Sequence, residues 1–174
     1  WGKDEFEVYP NRDSLPFIKQ YQMDDGLNIK QFVRGTLRYK GWKNAWGKIF
    51  SEVDSLDSSL AEERLKEISD DLWNKYSYKD GEVDRVILTV ELKVENGSKI
   101  VWHKQYLMDT LGNDNGSAMA QLVSCSVALA VEAVLGNEIP SGVTAAPHQS
   151  ELVSRWLDQA EDISDHFVLI DHLN

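Results

Sequence analysis

Arg85-Val86-Ile87-Leu88-Thr89-Val90-Glu91-Leu92-Lys93-Val94 is the stretch whose reading decides the fold. Val86, Leu88, Val90, Leu92 and Val94 alternate with Arg85, Ile87, Thr89, Glu91 and Lys93. A period of two marks a strand with two unlike faces. Asn96-Gly97 follows, a dipeptide suited to a two-residue hairpin turn. The return strand is expected from about Lys99 to Met108, with Ile100, Trp102, Tyr106 and Met108 on one face. One face of the hairpin is expected to be buried. The other, with His103, is expected to be solvated or to form an interface.

Working outward, Asp109 to Gly116 reads as a loop, and Ser117 as the cap of a long helix to Leu135 that Gly136 ends. A loop with Pro140, Gly142 and Pro147 leads to a helix over about 149–159. The run from Asp165 to His172 reads as a strand. On the N-terminal side, Trp42, Trp46 and Phe50 are spaced four apart on a helix from Gly41 to about Val53. Ser59-Leu60-Ala61-Glu62 fits a capping box for a second helix to about Tyr76. Ile29 to Tyr39 has strand character. Residues 1–14 read as an irregular lead-in, Ser14 as the cap of a short helix to about Gln22, and Asp24-Asp25-Gly26 as its break. Helices and adjacent strands are segregated, so the class is α+β with a mostly antiparallel sheet covered by helices on one face, in a single domain spanning 1–174.

The chain has 174 residues, 29 Asp and Glu against 18 Lys and Arg, and a net charge of −11. That balance argues against nucleic acid, whose phosphates need clustered cations. The apolar stretch Ala118 to Leu135 contains Gln121, Ser124, Ser126 and Glu132, which suits a core helix better than a membrane span. Cys125 is the one cysteine. It excludes an intrachain disulfide, and its apolar helical setting suggests a buried thiol in a reducing, cytoplasmic setting. His103, His148, His166 and His172 are scattered without metal-ligand spacing, so no metal is expected. There is no G-x-G-x-x-G loop, and a chain opening on Trp1 reads as a fragment.

The chemistry concentrates in Phe32-Val33-Arg34-Gly35-Thr36-Leu37-Arg38-Tyr39. If extended, it places Arg34, Thr36 and Arg38 on one face. Two guanidinium groups and a hydroxyl there suit carboxylates, which arginine binds through a two-pronged fork. Arg12 is close enough in sequence to join them. The competing reading is an outer face whose arginines are solvated or paired with the abundant Asp and Glu.

Arg34-Gly35-Thr36-Leu37-Arg38-Tyr39-Lys40-Gly41, preceded by Tyr9-Pro10-Asn11-Arg12-Asp13-Ser14, resembles the saccharopine dehydrogenase (glutamate-forming) family. Gly116-Ser117-Ala118-Met119-Ala120 and Leu135-Gly136-Asn137-Glu138-Ile139-Pro140-Ser141-Gly142-Val143 follow in the family's order. The resemblance implies an oxidoreductase in which an NADP-binding Rossmann domain, absent here, is joined to an α+β domain like the C-terminal domain of glyceraldehyde-3-phosphate dehydrogenase. That second domain would bind a saccharopine-like amino acid and form the homodimer. The family's substrate contacts map onto Arg12, Thr36, Leu37 and Arg38, with Leu37 acting through backbone or packing. NADP would belong to the full-length protein and not to this domain alone. The segment between Tyr39 and Glu82 is short beside larger family members. Two alternatives stay open: the same fold acting on a carboxylated polyamine precursor, and a stand-alone binding or dimerisation module.

Overall fold

The first strand falls where none was expected. In the computed structural model, which describes residues 2–23, 26–57, 61–143 and 145–174, β1 (Phe6–Pro10) lies within the supposed lead-in. It pairs antiparallel with β2 (Gly35–Tyr39), in register from Phe6↔Tyr39 to Pro10↔Gly35. Glu7 and Tyr9 therefore share a face with Arg38 and Thr36, and Val8 shares the other with Leu37. A Cβ on Gly35 would lie 2.5 Å from Val8 Cγ1 and 3.2 Å from the Tyr9 carbonyl oxygen, so the absent side chain lets the strands close. The strand does not begin at Ile29, because the backbone of Arg34 is engaged by a loop. Its N–H donates to Ser14 Oγ (3.1 Å), and its carbonyl accepts from Asn11 N–H (3.0 Å). Ser14 is thus no side-chain cap for α1 (Pro16–Gln20).

The helices α2 (Trp42–Asp54) and α3 (Ala61–Tyr76) form as their spacing predicts. Along α2 the rings stack on one another: Trp42 to Trp46 at 5.6 Å and Trp46 to Phe50 at 6.0 Å between centroids. Arg64 ties α3 to α2 by donating to Glu52 (2.5 Å) while also holding Glu67 (2.7 Å). The apolar sides of the two helices line an open groove of about 520 Å³. Part of the expected capping box, Ser59 and Leu60, lies outside the described residues, as do Asp24 and Asp25 of the expected break.

These elements make one compact unit, Trp1–Asp80; the second is Gly81–Asn174. There β3 (Arg85–Asn96), β4 (Lys99–Leu111) and β5 (His166–Asp171) form an antiparallel sheet in the order β3-β4-β5. The hairpin closes at Asn96↔Lys99, so the loop residues are Gly97 and Ser98, and Gly97 supplies the positive φ of 61° that the tight turn needs. β4 runs on through Asp109 and Thr110, which were expected in a loop. Both are buried, at 5% and 3% exposure. The polar character misleads because Arg85, diagonal to Asp109 across the strands, forks onto its carboxylate through Nε (2.8 Å) and Nη2 (2.6 Å).

Helix α4 (Ala118–Leu135) is doubly capped at its start. Ser117 Oγ accepts from Ala120 N–H (3.1 Å), and the Asp84 carboxylate accepts from Ala118 N–H (2.7 Å) and Met119 N–H (2.9 Å). At its end Asn137, not Gly136, takes the left-handed conformation (φ 55°). Glu138 N–H then bonds Ala133 O and Asn137 N–H bonds Val134 O, a Schellman closure. Although α4 has the length and hydropathy of a membrane span, it approaches β3 and α5 (Ser150–Asp162). It is two-sided rather than a fully buried core helix. Ala118 and Ala133 are buried, Leu122, Cys125 and Leu129 half-buried, and Met119, Val123, Val127 and Val131 exposed.

The α+β class therefore holds, with antiparallel strands divided between two sheets. The hairpin's faces are not as expected. The polar face is internally satisfied, with Gln105 donating to Thr89 Oγ1 (2.8 Å) and His103 Nε2 bonded to Glu91 (2.6 Å). The outer part of the apolar face is bare, with Val90 56% exposed. Because Asp109 is buried, Arg85→Met is expected to cost about 3 kcal/mol of stability, and the Arg85→Met/Asp109→Leu pair to regain most of it. Equilibrium urea unfolding of both variants tests this; equal loss in the two would mean that packing, not the loss of the Arg85 fork from the buried carboxylate, sets the cost.

Candidate functional site

The β1–β2 ribbon places the candidate residues. Thr36 and Arg38 leave β2 on the face that carries Tyr9 and Glu7 from β1, and Leu37 leaves on the opposite one beside Val8. Arg34 stands before the strand. Its guanidinium lies 3.7 Å over the Phe17 ring, so it does not share the face of Arg38 as an extended reading required. Arg12 sits just past the end of β1, exposed, at the ribbon end where Asn11 meets Arg34.

Arg12 has a φ of 61°, a left-handed conformation that costs a non-glycine residue about 1 kcal/mol or more. Its neighbours hold it there. Asn11 and Ser14 grip the two sides of the Arg34 peptide, and Asp13 Oδ1 accepts from Leu15 N–H (3.0 Å). The Asn-Arg-Asp-Ser loop is thus locked to the start of β2 with the Arg12 side chain left outside the lock.

Arg38 owes its state to Glu7, its direct cross-strand partner. Opposite charges at paired positions ordinarily attract, yet they do not join here. The Glu7 carboxylate accepts from Gly41 N–H (2.8 Å), from Lys43 N–H (3.4 Å) and from the Tyr9 hydroxyl. Gly41 and Lys43 belong to the first turn of α2, whose free N–H groups favour an anion. The Tyr9 hydrogen bond, then those of the backbone, hold the Glu7 carboxyl below its ordinary range; the same bond raises the Tyr9 phenol. The Arg38 guanidinium instead lies 5.7 Å over the Trp42 ring and donates to the Leu37 carbonyl (3.2 Å). Tyr9 packs on the same indole, at 4.9 Å between centroids. Among the described residues, no carboxylate pairs with Arg12 or Arg38.

Sequence reasoning did not find Glu7, Tyr9 or the contact of Trp42 with Arg38. The available signal was the alternation of Phe6 and Val8 with Glu7 and Tyr9, only five residues long and closed by Pro10. Trp42 was expected in the core; it is half-buried, with a cation over its ring.

The profile of the saccharopine dehydrogenase C-terminal domain matches residues 2–164. The chain belongs to that family. A relative from Pyricularia oryzae (strain 70-15), a saccharopine dehydrogenase [NADP(+), L-glutamate-forming], is 27% identical over 215 aligned positions, covering 84% of this chain and 47% of the relative. The chain thus spans about half the length of that relative. The alignment is longer than the chain, so the relative carries inserted sequence that is missing here. No solved structure matches the chain.

The lowered Glu7 carboxyl makes a pH prediction. A carboxylate with a depressed folded-state pKa contributes stability above its ordinary value of about 4.3, and the contribution fades as pH falls through the depressed value. Wild type is therefore expected to melt above Glu7→Gln at pH 7, with the gap closing below about pH 4. A gap that persists into strong acid, in melting curves followed by circular dichroism, would show that the carboxylate charge is not what α2 uses.

Proposed function

We propose that this chain is the substrate-binding and dimerisation part of a longer NADP-dependent oxidoreductase of the saccharopine dehydrogenase type. In the whole protein, hydride would pass between the nicotinamide and the secondary amine or imine carbon of a saccharopine-like amino acid. The supporting observation is the unpaired Arg38. Its cross-strand carboxylate, Glu7, is held by a helix terminus, and among the described residues no other carboxylate pairs with it, which leaves the guanidinium oriented by Trp42 and available to a ligand.

The ribbon suggests the ligand's shape. Arg12 stands at the end where β2 begins, and Arg38 lies three residues beyond Gly35, about 10 Å along the strand. A substrate that bridges them is extended, with carboxylates near both ends. Arg38 and Arg12 would each take a carboxylate, Thr36 would add a hydroxyl between them, and Leu37 would hold the strand in place from the other face. Fixing both ends positions the reacting carbon between them, which is an entropic contribution to catalysis.

We assign NADP, whose nicotinamide carries the hydride in this chemistry, to residues other than those at the starts of α2 and α4. Phosphates favour helix N-termini, yet the start of α2 is filled by Glu7 and that of α4 by Asp84, both anionic. Nucleotide binding is therefore assigned to the part of the protein beyond this chain, which alone would not turn over. We place the enzyme in the cytoplasm and read its product of assembly as a homodimer.

Arg38→Ala in the full-length enzyme is expected to raise KM for the amino-acid substrate roughly tenfold to a hundredfold, the value of a charged hydrogen bond. KM for NADP should not move. Arg38→Lys should rescue little, because an ammonium cannot reproduce the fork. Steady-state kinetics decide it, and an unchanged amino-acid KM removes Arg38 from the site.

A further inference from the structure

The ribbon face that carries Arg38 also carries a negative charge that no cation neutralises. Glu7 stands directly opposite Arg38 in the strand register, half-buried, and leaves β1 on the same side as Tyr9. Its carboxylate accepts from Gly41 N–H (2.8 Å), from the Tyr9 hydroxyl and, at a long 3.4 Å, from Lys43 N–H. An ionised carboxylate offers about four acceptor positions. Two are filled well and a third weakly, so room for a further donor remains. The donors it has are neutral groups. Among the described residues no lysine or arginine side chain forms an ion pair with Glu7, and Lys43 acts on it through its backbone N–H and its field alone. Glu7 is thus held in place by hydrogen bonds and left open as a charge.

Arg38 is in the complementary state, oriented by the Trp42 ring and joined to no carboxylate. One cation and one anion therefore occupy paired positions, each anchored by a different group and not by the other. Two opposite charges held apart in this way match a zwitterion. We propose that Glu7 receives the α-ammonium group of an α-amino acid whose carboxylate lies on Arg38, so that the face selects amino acids over plain carboxylic acids; the proposal rests on the carboxylate reading above and adds a second contact to it. In an α-amino acid the two charged groups leave one carbon, and side chains at paired strand positions start only about 5 Å apart, so both can be engaged at once. Tyr9 and the first turn of α2 fix the Glu7 carboxylate before a ligand arrives, which lowers the ordering cost of binding. A ligand with carboxylates alone still gains Arg38 but meets the Glu7 charge at close range, and that repulsion is itself a source of selectivity.

Glu5 and Asp13 do not offer the same contact, because Glu5 is tied to Lys40 and Asp13 accepts from Leu15 N–H. The rival role for Glu7 is service to the start of α2 and nothing more. That role has no reason to distinguish a ligand with an ammonium group from one without.

Calorimetric titration of the full-length enzyme saturated with NADP+ separates the two roles, with L-glutamate and glutarate as the probes. These dicarboxylates have the same chain length and differ in the α-ammonium group. Wild type is expected to bind L-glutamate at least about tenfold more tightly than glutarate, the value of a charged hydrogen bond. Glu7→Gln keeps an oxygen for Gly41 N–H, and circular dichroism verifies its fold. It is expected to narrow the preference to within about twofold, by weakening L-glutamate and not glutarate. Arg38→Ala should weaken both acids. If neither acid binds, or if Arg38→Ala weakens neither, the carboxylate reading falls and the Glu7 contact with it. If both bind through Arg38 but wild type has no preference, or Glu7→Gln keeps the preference or weakens both acids equally, the Glu7 contact alone is overturned. If Glu7→Gln fails to fold, Glu7→Asp takes its place: its shorter side chain withdraws the carboxylate and should narrow the preference by about threefold or more, and an unchanged preference overturns the contact.

Discussion

The anchoring of the Glu7 carboxylate at the start of α2 is the interaction on which the N-terminal unit depends. It joins β1 to the helix through Gly41 and Lys43, and it removes from Arg38 the partner that strand pairing would otherwise give it. One side chain thus does two things that sequence treats as unrelated: it satisfies a helix terminus and leaves a cation unneutralised. The geometry follows from Gly41, whose positive φ of 91° turns the chain sharply from β2 into α2 and points the first helical N–H groups back at β1.

The same logic extends to the other acids around the ribbon. Glu5 is tied to Lys40, and Asp13 accepts from the Leu15 backbone. Each carboxylate is taken by a local donor, so the surplus of negative charge in the chain does not become a surplus at Arg12 and Arg38. Net charge describes the far field of a protein. What a guanidinium binds is decided by which carboxylates within a few ångströms are still free, and secondary-structure termini decide that here.

Much of the architecture was legible because burial imposes a period. The alternation from Val86 to Val94 announced β3, the spacing of Trp42, Trp46 and Phe50 announced α2, and Ser117 marked the start of α4. What escaped was set by contacts between distant residues. Asp109 belongs to a strand because Arg85 forks onto it, 24 positions away. Arg34 falls outside β2 because Ser14 and Asn11 hold its peptide, and no local pattern around Arg34 records that. The candidate site shows the same division. The strand face of Thr36 and Arg38 follows from period two, and family membership was legible in the Asn-Arg-Asp-Ser and Arg-Gly-Thr-Leu-Arg segments. The free state of Arg38 required the register with β1.

The two units divide their surfaces in opposite ways. In the N-terminal unit, polar groups that could have paired are kept apart, and an arginine stays open. In the C-terminal unit, polar groups pair across the elements: Arg85 with Asp109, Asp84 with the start of α4, Gln105 with Thr89, and the rings of His103 and His172 stack at 4.2 Å. It is the apolar groups of this sheet that remain without partners. An unpaired cation asks for an anionic ligand, and an uncovered apolar sheet asks for another apolar surface.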